Sequence, residues 1–309
     1  MQTWAITGGT GSIGTVLTKH LLSLGHKVRS IARSEPRHLK QMGDNPTPNF
    51  SSFIGDVRDK DRMMRAFEGV DCVVHAAAIK VIPLCAYNPL DSIHTNVMGT
   101  ANVVDACLNV GVKKAVFISS DKAAGPSTGY GAQKLCAEHL WLESNRYCGD
   151  KPGVFRVVRY GNIWGSAGSI LHTFMTMAER GEVSITDRRC TRFHFKINDA
   201  VKLIMKSFEQ EPGTLLVPKL PSYNVMDVAA VIAPKAEVKI IGLRANEKLH
   251  ESMITENESP YVTESPTDYI LKFNGPSSHP RFEYSSGGQK MLSREMLRED
   301  YEEWLKENA

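Results

Sequence analysis

A glycine-rich turn near the N-terminus is the strongest constraint on how this 309-residue chain can fold. The turn, TGGTGSIG, follows the apolar residues 4–7 and places Gly8, Gly11 and Gly14 three positions apart, with a helix-like segment from residue 12. A strand that leads through such a turn into a helix points backbone N–H groups and the positive end of the helix dipole towards an anion. The glycine spacing alone is common, but this context predicts a dinucleotide-binding βαβ unit.

Short apolar strands and helical segments alternate from this turn as far as residue 159. We predict strands at 4–7, 27–32, 52–54, 71–75, 113–119 and 154–159, and helices at 12–24, 60–67, 90–108 and 130–145. Apolar strands separated by helices are typical of a parallel sheet that is covered on both faces. The sequence therefore predicts an α/β protein with a Rossmann-like doubly wound parallel sheet, and we assign residues 1–165 to a nucleotide-binding domain.

The regular alternation ends after residue 160 in a glycine-rich loop, GNIWGSAGS, and the later segments are shorter and more polar. We assign residues 166–309 mainly to a smaller C-terminal substrate-binding lobe. Residues 194–218 are expected to pack back on the sheet, because they contain a predicted helix at 197–208 and a predicted strand at 213–217. A helix at 223–232 and a strand at 238–241 follow, and the charged segment 294–308 is predicted to form a solvated helical cap.

The amino-acid composition restricts the kinds of molecule that this protein is expected to bind. The 37 basic and 34 acidic residues are too balanced to indicate a nucleic-acid partner. No run approaches the ~18 apolar residues of a membrane span, and the N-terminus enters a strand at once, so we predict a cytoplasmic protein without a membrane partner. The six cysteines form no CxxC pair and are predicted to be reduced thiols. The histidines show no metal-ligand spacing, and no metal site is predicted.

The residues that follow the strands are candidate cofactor ligands. At the end of the second strand an acid would bind the ribose 2′-OH of NAD, whereas a basic group would accept the 2′-phosphate of NADP. The sequence there, IARSEPRH, places Arg33 and Ser34 at this position and favours NADP, with NAD as the alternative. Asp56 and Val57 are placed to contact the adenine. The candidate cofactor-binding residues are Gly8, Thr10, Gly11, Ser12, Ile13, Gly14, Arg33, Ser34, Asp56, Val57, Ala76, Ala77, Ala78, Lys80, Asn96, Tyr130, Lys134 and Tyr160.

The stretch from residue 119 to 134, SSDKAAGPSTGYGAQK, has the composition of an active site. Tyr130 and Lys134 are four residues apart at a predicted helix start, so both project from one face. An ammonium group beside the phenol, together with a cationic nicotinamide, is expected to lower the tyrosine pKa from ~10 towards neutrality. Tyr130 then becomes a base for a substrate hydroxyl, Ser120 hydrogen-bonds the same hydroxyl, and Asn96 fixes Lys134 through a water.

At this point the chain resembles the extended short-chain dehydrogenase/reductase superfamily over most of its length. Within it, the chain is similar to the inverting UDP-N-acetylglucosamine 4,6-dehydratases of the polysaccharide biosynthesis family. The stretches that carry this resemblance are SSDKAAGPSTGYGAQK, VRYGNIWGSAGS at 158–169, ITDRRCTRF at 185–193, VPKLPS at 217–222 and IGLRANEKLHE at 241–251.

The resemblance implies a second catalytic pair, Asp121 and Lys122. In such a reaction C4 is oxidised, a base removes the C5 proton, and an acid protonates the departing 6-hydroxyl before hydride returns to C6. The resemblance makes Lys122 the base and Asp121 the acid, which requires a largely neutral Lys122 and a protonated Asp121. We expect Lys134 and the oxidised nicotinamide to lower the pKa of Lys122, and burial to raise that of Asp121.

The substrate implied by the resemblance is a UDP-sugar. Arg159, Tyr160 and Asn162 lie at a predicted strand end, where ligands bind in open α/β sheets. Arg192 and Arg244 are candidates for the pyrophosphate, and Glu247 and Lys248 are further candidates for substrate contacts. The candidate substrate-binding residues are Lys80, Asp121, Lys122, Asn162, Arg192, Arg244 and Glu247, and the candidate catalytic residues are Ser120, Asp121, Lys122, Tyr130 and Lys134.

The resemblance is not uniform. Val81, Ala86, Ala167 and His172 depart from the residues usual in the family, and they leave open the identity of the hexose and the stereochemical outcome at C5. A UDP-hexose epimerase of the same superfamily and a non-catalytic NADP-binding regulator are the alternatives. A homo-oligomer is expected, because exposed helices of this fold often pair.

Overall fold

The computed structural model describes residues 1–308. Strands among these residues are β1 Thr3–Thr7, β2 Lys27–Ala32, β3 Phe50–Ile54, β4 Cys72–His75, β5 Lys114–Ile118, β6 Phe155–Val158, β7 Glu182–Ile185, β8 Thr191–Phe193, β9 Leu215–Pro218, β10 Ser222–Asn224, β11 Glu237–Ile240, β12 Ser252–Ile254, β13 Val262–Glu264, β14 Asp268–Leu271 and β15 Tyr284–Ser285. Helices are α1 Ser12–Ser23, α2 Glu35–Asp44, α3 Lys60–Phe67, α4 Ile82–Tyr87, α5 Pro89–Ile93, α6 Gly99–Val110, α7 Gly129–Glu143, α8 Ile170–Ala178, α9 Ile197–Ser207, α10 Val225–Ile232 and α11 Arg294–Glu307.

A nine-stranded sheet forms the centre of the molecule, in the order β13-β14-β9-β6-β5-β4-β1-β2-β3. The strands from β9 to β3 run parallel, whereas β14 and β13 are added antiparallel at one edge. Strands β4, β6 and β9 are buried throughout, as expected for strands that are covered on both faces. The predicted α/β doubly wound sheet is therefore confirmed.

The two faces of this sheet carry separate apolar cores. One contains Phe67, Phe117 and Trp141, and the other contains Leu17, Ile204 and Leu216. Three strands from beyond residue 165 complete the sheet, and α9 packs against α1 on one of its faces. The remaining later elements enclose a third core around α8, α10 and the buried Leu297 of α11. The C-terminal part is therefore joined to the first part through main-chain pairing.

Several elements differ from the sequence prediction. Helix α2 was not predicted, because the side chains it buries are His38 and Gln41 and give no apolar periodicity. The predicted helix at 90–108 is divided into α5, a π-helical turn at His94–Met98, and α6. The prediction that residues 294–308 form only a solvated cap was wrong in part, because Leu297 is fully buried against α10.

Two smaller observations concern covalent links and membranes. All six cysteines lie within residues 1–308, and each is a free thiol. Within that same range, every helix is too short or too polar to cross a bilayer.

Candidate active site

The glycine turn forms one wall of a cavity of about 1390 Å³ that runs along the carboxyl ends of the parallel strands. Gly8 has a left-handed backbone with φ of 69°, and a Cβ there would lie 2.8 Å from the amide nitrogen of Ala77. A Cβ on Gly14 would lie 2.5 Å from the backbone of Gly9. Only glycine allows these approaches, which leave the N-terminal N–H groups of α1 facing the cavity. These residues fit the pyrophosphate of a dinucleotide.

The end of the cavity next to β2 and α2 is basic. Arg33, predicted at this position, is joined there by Arg37 and Lys40 of α2. Asp56 also lines this end, but Arg58 hydrogen-bonds its carboxylate at 2.7 Å and Arg33 lies 3.8 Å away. Burial raises the pKa of Asp56, but these arginines outweigh it and hold the pKa below its ordinary value. The sequence prediction missed Arg37 and Lys40 because α2 was not predicted.

Most of the predicted cofactor ligands line this cavity, but Asn96 does not. Its side chain accepts a hydrogen bond from the amide of Ile79 at 2.8 Å and donates to the carbonyl of Ile79 at 2.9 Å and to Gln133 at 2.8 Å. The ammonium of Lys134 instead donates to the carbonyl of Ile118 at 2.7 Å. Asn96 therefore holds the segment after β4 in place, and its predicted contact with the cofactor is not supported by this geometry.

Helix α7 brings Tyr130 and Lys134 to the cavity wall. Thr128 caps the helix by accepting a hydrogen bond from the amide of Gly131 at 3.1 Å. Gly131 packs so closely against the turn at 121–123 that a Cβ would lie 2.3 Å from the carbonyl oxygen of Lys122. Tyr130 and Lys134 are buried, and both face the cavity beside Ser120. The packing at Gly131 thus joins the two predicted catalytic pairs in one site.

Buried ion pairs of Arg159 with two glutamates hold the same helix in place. Arg159 was predicted as a ligand contact, but its guanidinium is fully buried and donates to Glu138 of α7 at 2.9 Å and to Glu258 at 2.8 Å. Breaking such a pair leaves a buried charge uncompensated, which is strongly destabilising. The prediction for Arg159 was therefore wrong, because this side chain fixes α7 to β6 and does not reach a ligand.

The protein's own charges give a different ionisation pattern from the one expected. Burial lowers the pKa of Lys134 to about 7, although Glu138 opposes this effect. Burial also raises the pKa of Tyr130 to about 12, against the opposing charge of Lys122. The pKa of Lys122 is lowered by burial, but Asp121 and Glu251 outweigh this effect and raise it above its ordinary value. The expected depression of the Lys122 pKa was thus wrong for the protein alone.

Lys122 lies between two buried carboxylates. Its ammonium donates to Oδ1 of Asp121 at 3.1 Å and lies 3.6 Å from Oε1 of Glu251. The guanidinium of Arg192 lies 3.8 Å from the same Glu251 oxygen, so four charges alternate in sign. Asp121 Oδ1 also accepts from Ser120 Oγ at 2.8 Å, while its Oδ2 is buried without a hydrogen-bond partner. Glu251 was missed because only tertiary packing brings it to Lys122.

The predicted substrate contacts divide into two groups. Four of them line the cavity, namely Lys80, Lys122, Asn162 and Arg244. Asp121, Arg192 and Glu247 lie behind that wall, and Glu247 accepts from Thr186 at 2.9 Å and lies 3.5 Å from Arg192. Lys248 donates to the carbonyl of Ala124 at 3.0 Å. This second group supports the part of the cavity wall that Lys122 forms. Asp121 is connected to the cavity through its hydrogen bonds with Ser120 and Lys122.

The glycine cradle, the α7 pair and the doubly wound sheet together define a protein of the short-chain dehydrogenase/reductase type, and the matches to known proteins confirm the predicted resemblance. The chain belongs to the polysaccharide biosynthesis protein family, which matches residues 5–272. It is 42% identical, over 271 residues, to a UDP-N-acetylglucosamine 4,6-dehydratase (inverting) of Campylobacter jejuni, covering 86% of this chain and 81% of that protein. A UDP-glucose 4-epimerase of Rickettsia akari is 31% identical, covering 97% and 90%.

Solved structures show the same fold. Pen from Bacillus thuringiensis superposes with a TM-score of 0.93 at 31% identity, covering 98% of each chain. The dTDP-glucose 4,6-dehydratase DesIV from Streptomyces venezuelae, solved with NAD and TYD bound, gives a TM-score of 0.72 at 19% identity, covering 80% of this chain and 86% of that one. The second likeness concerns the fold alone.

Proposed function

We propose that this protein is a nucleotide-sugar 4,6-dehydratase that converts UDP-N-acetylglucosamine to a UDP-4-keto-6-deoxy-hexosamine with inversion at C5. The observation that carries the proposal is the Asp121–Lys122 pair, 3.1 Å apart and joined to Ser120 beside Tyr130. A nicotinamide cofactor at the glycine cradle would take hydride from C4 of the sugar and later return it to C6, with a proton added at C5. The elimination between these two events needs a base and an acid, which this pair supplies.

The ion pair supplies both groups by moving one proton. Lys122 and Asp121 are an ammonium and a carboxylate, and transfer of a proton between them gives a neutral amine and a carboxylic acid with no change of net charge. The amine then removes the C5 proton, and the acid protonates the departing 6-hydroxyl as the C6–O bond breaks. Water leaves, and the ammonium and the carboxylate are restored. The proton passes from Nζ of Lys122 to Oδ1 of Asp121, the carboxylate oxygen that also contacts Ser120.

Asp121 does not line the cavity, so in this proposal its proton reaches the sugar through Ser120. The Oγ of Ser120 lies 2.8 Å from Asp121 Oδ1, and Ser120 itself faces the cavity. A hydroxyl both donates and accepts, so it can pass one proton inward as it receives another. Ser120 therefore serves both steps, since it also lies beside Tyr130.

We propose NADP as the cofactor, with NAD as the alternative. Arg33, Arg37 and Lys40 support this choice, because three cations at the adenosine end of the cavity suit a 2′-phosphate better than a bare ribose hydroxyl.

Incubation with UDP-N-acetylglucosamine in deuterated water tests the function. A dehydratase gives a product that has lost one water and carries deuterium at C5, as measured by mass spectrometry and NMR. An isomer of unchanged mass would favour the epimerase, whose activity the Rickettsia akari relative bears in its name. Absence of turnover with several UDP-hexoses would favour the non-catalytic regulator.

Lys122→Ala tests the role of the base. We expect dehydration to stop while cofactor binding, followed by NADPH fluorescence, is retained. Lys202→Ala is the matched control, because this lysine is exposed on α9, donates to Asp199 at 2.9 Å and does not line the cavity. Normal turnover in Lys122→Ala would rule out the assigned base.

A further inference from the structure

The loop at residues 165–169 crosses the cavity and joins two predicted cofactor ligands. The amide of Ala167 donates to Ser12 Oγ in the glycine turn at 3.1 Å, and the carbonyl of Ala167 accepts from Lys80 at 3.1 Å. Gly165 and Gly168, with φ of 70° and 75°, flank this tip and allow the chain to reverse direction. We call residues 165–169 the strap.

The strap is supported from outside by the C-terminal helix. The indole of Trp304 in α11 lies directly over Gly165, where a Cβ would be 2.2 Å from the ring. His172 packs edge-to-face against the same indole, with ring centroids 5.2 Å apart. Trp164, just before the strap, donates to the carbonyl of Asp300 at 3.3 Å. These contacts fix one side of the strap to α11, and Trp304 also lines the cavity.

Helix α11 is itself held firmly against the C-terminal lobe. Asp300 pairs with Lys196 at 2.6 Å and lies 2.9 Å from Nε2 of His194, and Arg294 pairs with Asp227 at 2.7 Å. Leu297 is fully buried in the core around α10. The helix lies outside the residues 5–272 that match the family, so no family motif pointed to it.

We propose that Trp304 is a positioning residue that holds the strap closed over the bound cofactor and thereby slows cofactor release. The inference rests on the proposed function, because it requires a nicotinamide nucleotide at the glycine cradle. Such a nucleotide is oxidised and reduced again within one turnover, so it need not leave between turnovers. For the strap to lift, the Ser12 and Lys80 bonds must break, and with Trp304 in place Gly165 has no freedom to move outward.

The dissociation rate of NADPH tests this inference. Protein loaded with NADPH is mixed with excess NADP⁺, and the fluorescence decay is followed. We expect Trp304→Ala to accelerate release by about tenfold, the effect of losing one aromatic contact, and Trp304→Phe to restore most of the retention. Leu305→Ala is the control, because this neighbouring side chain on α11 is 39% exposed, and its rate should match the original protein.

A second variant covers the case in which Trp304→Ala does not fold, as judged by circular dichroism. Ala167→Pro removes the amide that donates to Ser12 without touching α11, and it should also accelerate release. Unchanged release rates in folded Trp304→Ala and Ala167→Pro would overturn the inference and leave the proposed function intact. If the original protein binds neither NADPH nor NADH, the proposed function fails and the inference falls with it.

Discussion

The alternating charges around Lys122 determine which neighbouring carboxylate exchanges a proton with it. Asp121, which is 1% exposed, accepts from both Ser120 and Lys122, so it is the partner that exchanges the proton. Glu251 lies farther from the ammonium, at 3.6 Å, and is shared with Arg192. Its negative charge stabilises the ammonium and therefore opposes formation of the neutral base. In the protein without cofactor or substrate, Lys122 is therefore protonated, and it lies next to the carboxylate of Asp121 that can accept its proton.

Glu251→Gln should shift the pH dependence of dehydration. Removing this carboxylate makes it easier for the Lys122–Asp121 pair to lose its shared proton to solvent, so the alkaline limb of the kcat profile, on which that proton is lost, should move to lower pH by about one unit. The charged and titratable groups that remain around Lys122 are Asp121, Arg192, Tyr130 and Tyr223. The measurement is kcat from pH 7 to 11, with Glu283→Gln as a control carboxylate that contacts Ser252 instead. An unshifted limb would contradict this role.

Lys134→Met should stabilise the protein without cofactor while it abolishes turnover. Burial lowers the pKa of Lys134 to about 7, from an ordinary value of 10.5, so the unfolded chain binds more protons than the folded protein between these values. The energetic penalty is full below pH 7 and disappears as the pH rises towards 10.5. We expect the variant to gain roughly 2 kcal/mol or more at pH 6, with a gain that shrinks at pH 9. Urea unfolding at both pH values measures this difference, and an equal gain at pH 6 and pH 9 would show that burial does not lower the pKa of Lys134.

At the scale of elements, the sequence could predict the strands and helices that bury apolar faces. Strand β2 and helix α3 were predicted with the observed bounds, because their apolar residues follow the periods of strand and helix. Helix α2 could not be predicted in this way, since its buried Gln41 bonds with Ser30 and with the carbonyl of Gly9. Such polar contacts depend on the completed fold. Strands β12 and β15, of three and two residues, are likewise too short to be predicted from their own sequence and depend on pairing with each other.

The same division applies to the candidate site. Glycine spacing and the Tyr130–Lys134 interval are local signals, and the structure places these residues at one cavity. Glu251 and Trp304 are far from that stretch in sequence, and only the packing of the C-terminal lobe brings them to it. Arg159 was wrongly predicted to contact a ligand because of its position at a strand end. That position does not reveal that its guanidinium already pairs with Glu138 and Glu258.

The basic residues of helix α2 lead to a prediction about the preference for NADP over NAD. In the double variant Arg37→Ala/Lys40→Ala, two of the three cations at the adenosine end are lost while Arg33 remains. We expect the Kd for NADPH to rise by about tenfold or more, whereas the Kd for NADH changes little, because only NADPH carries the 2′-phosphate. Fluorescence titration with both nucleotides gives the ratio. Arg65→Ala on the neighbouring helix α3 is a control for loss of surface charge, and equal weakening of both nucleotides would contradict the preference for NADP.

At the scale of the whole molecule, the nine-stranded sheet joins the two parts of the chain that the sequence divides at residue 165. Strand β6 pairs on one side with β5 and on the other with β9, which comes from the second part. All four residues of β6 are buried. The assignment of residues 1–165 and 166–309 to separate domains stays a prediction, as does the homo-oligomer. The sheet nevertheless gives a physical reason to expect that neither part is stable alone.

We therefore predict a single cooperative unfolding transition for the full chain. A protein ending at residue 165 would expose the buried β6 as an open edge and would lose α9 from the face of the sheet, so it should not fold. Guanidinium unfolding is followed by far-ultraviolet circular dichroism, which reports on the whole molecule, and by fluorescence of Trp164 and Trp304 in a Trp4→Phe/Trp141→Phe background. The two transitions should coincide.

Saturation with NADPH at about 100 times its Kd should raise the free energy of unfolding that both probes report by roughly 2.7 kcal/mol, because the cavity is lined from both parts of the chain. A tryptophan transition that precedes the loss of circular dichroism would show instead that the C-terminal lobe unfolds independently.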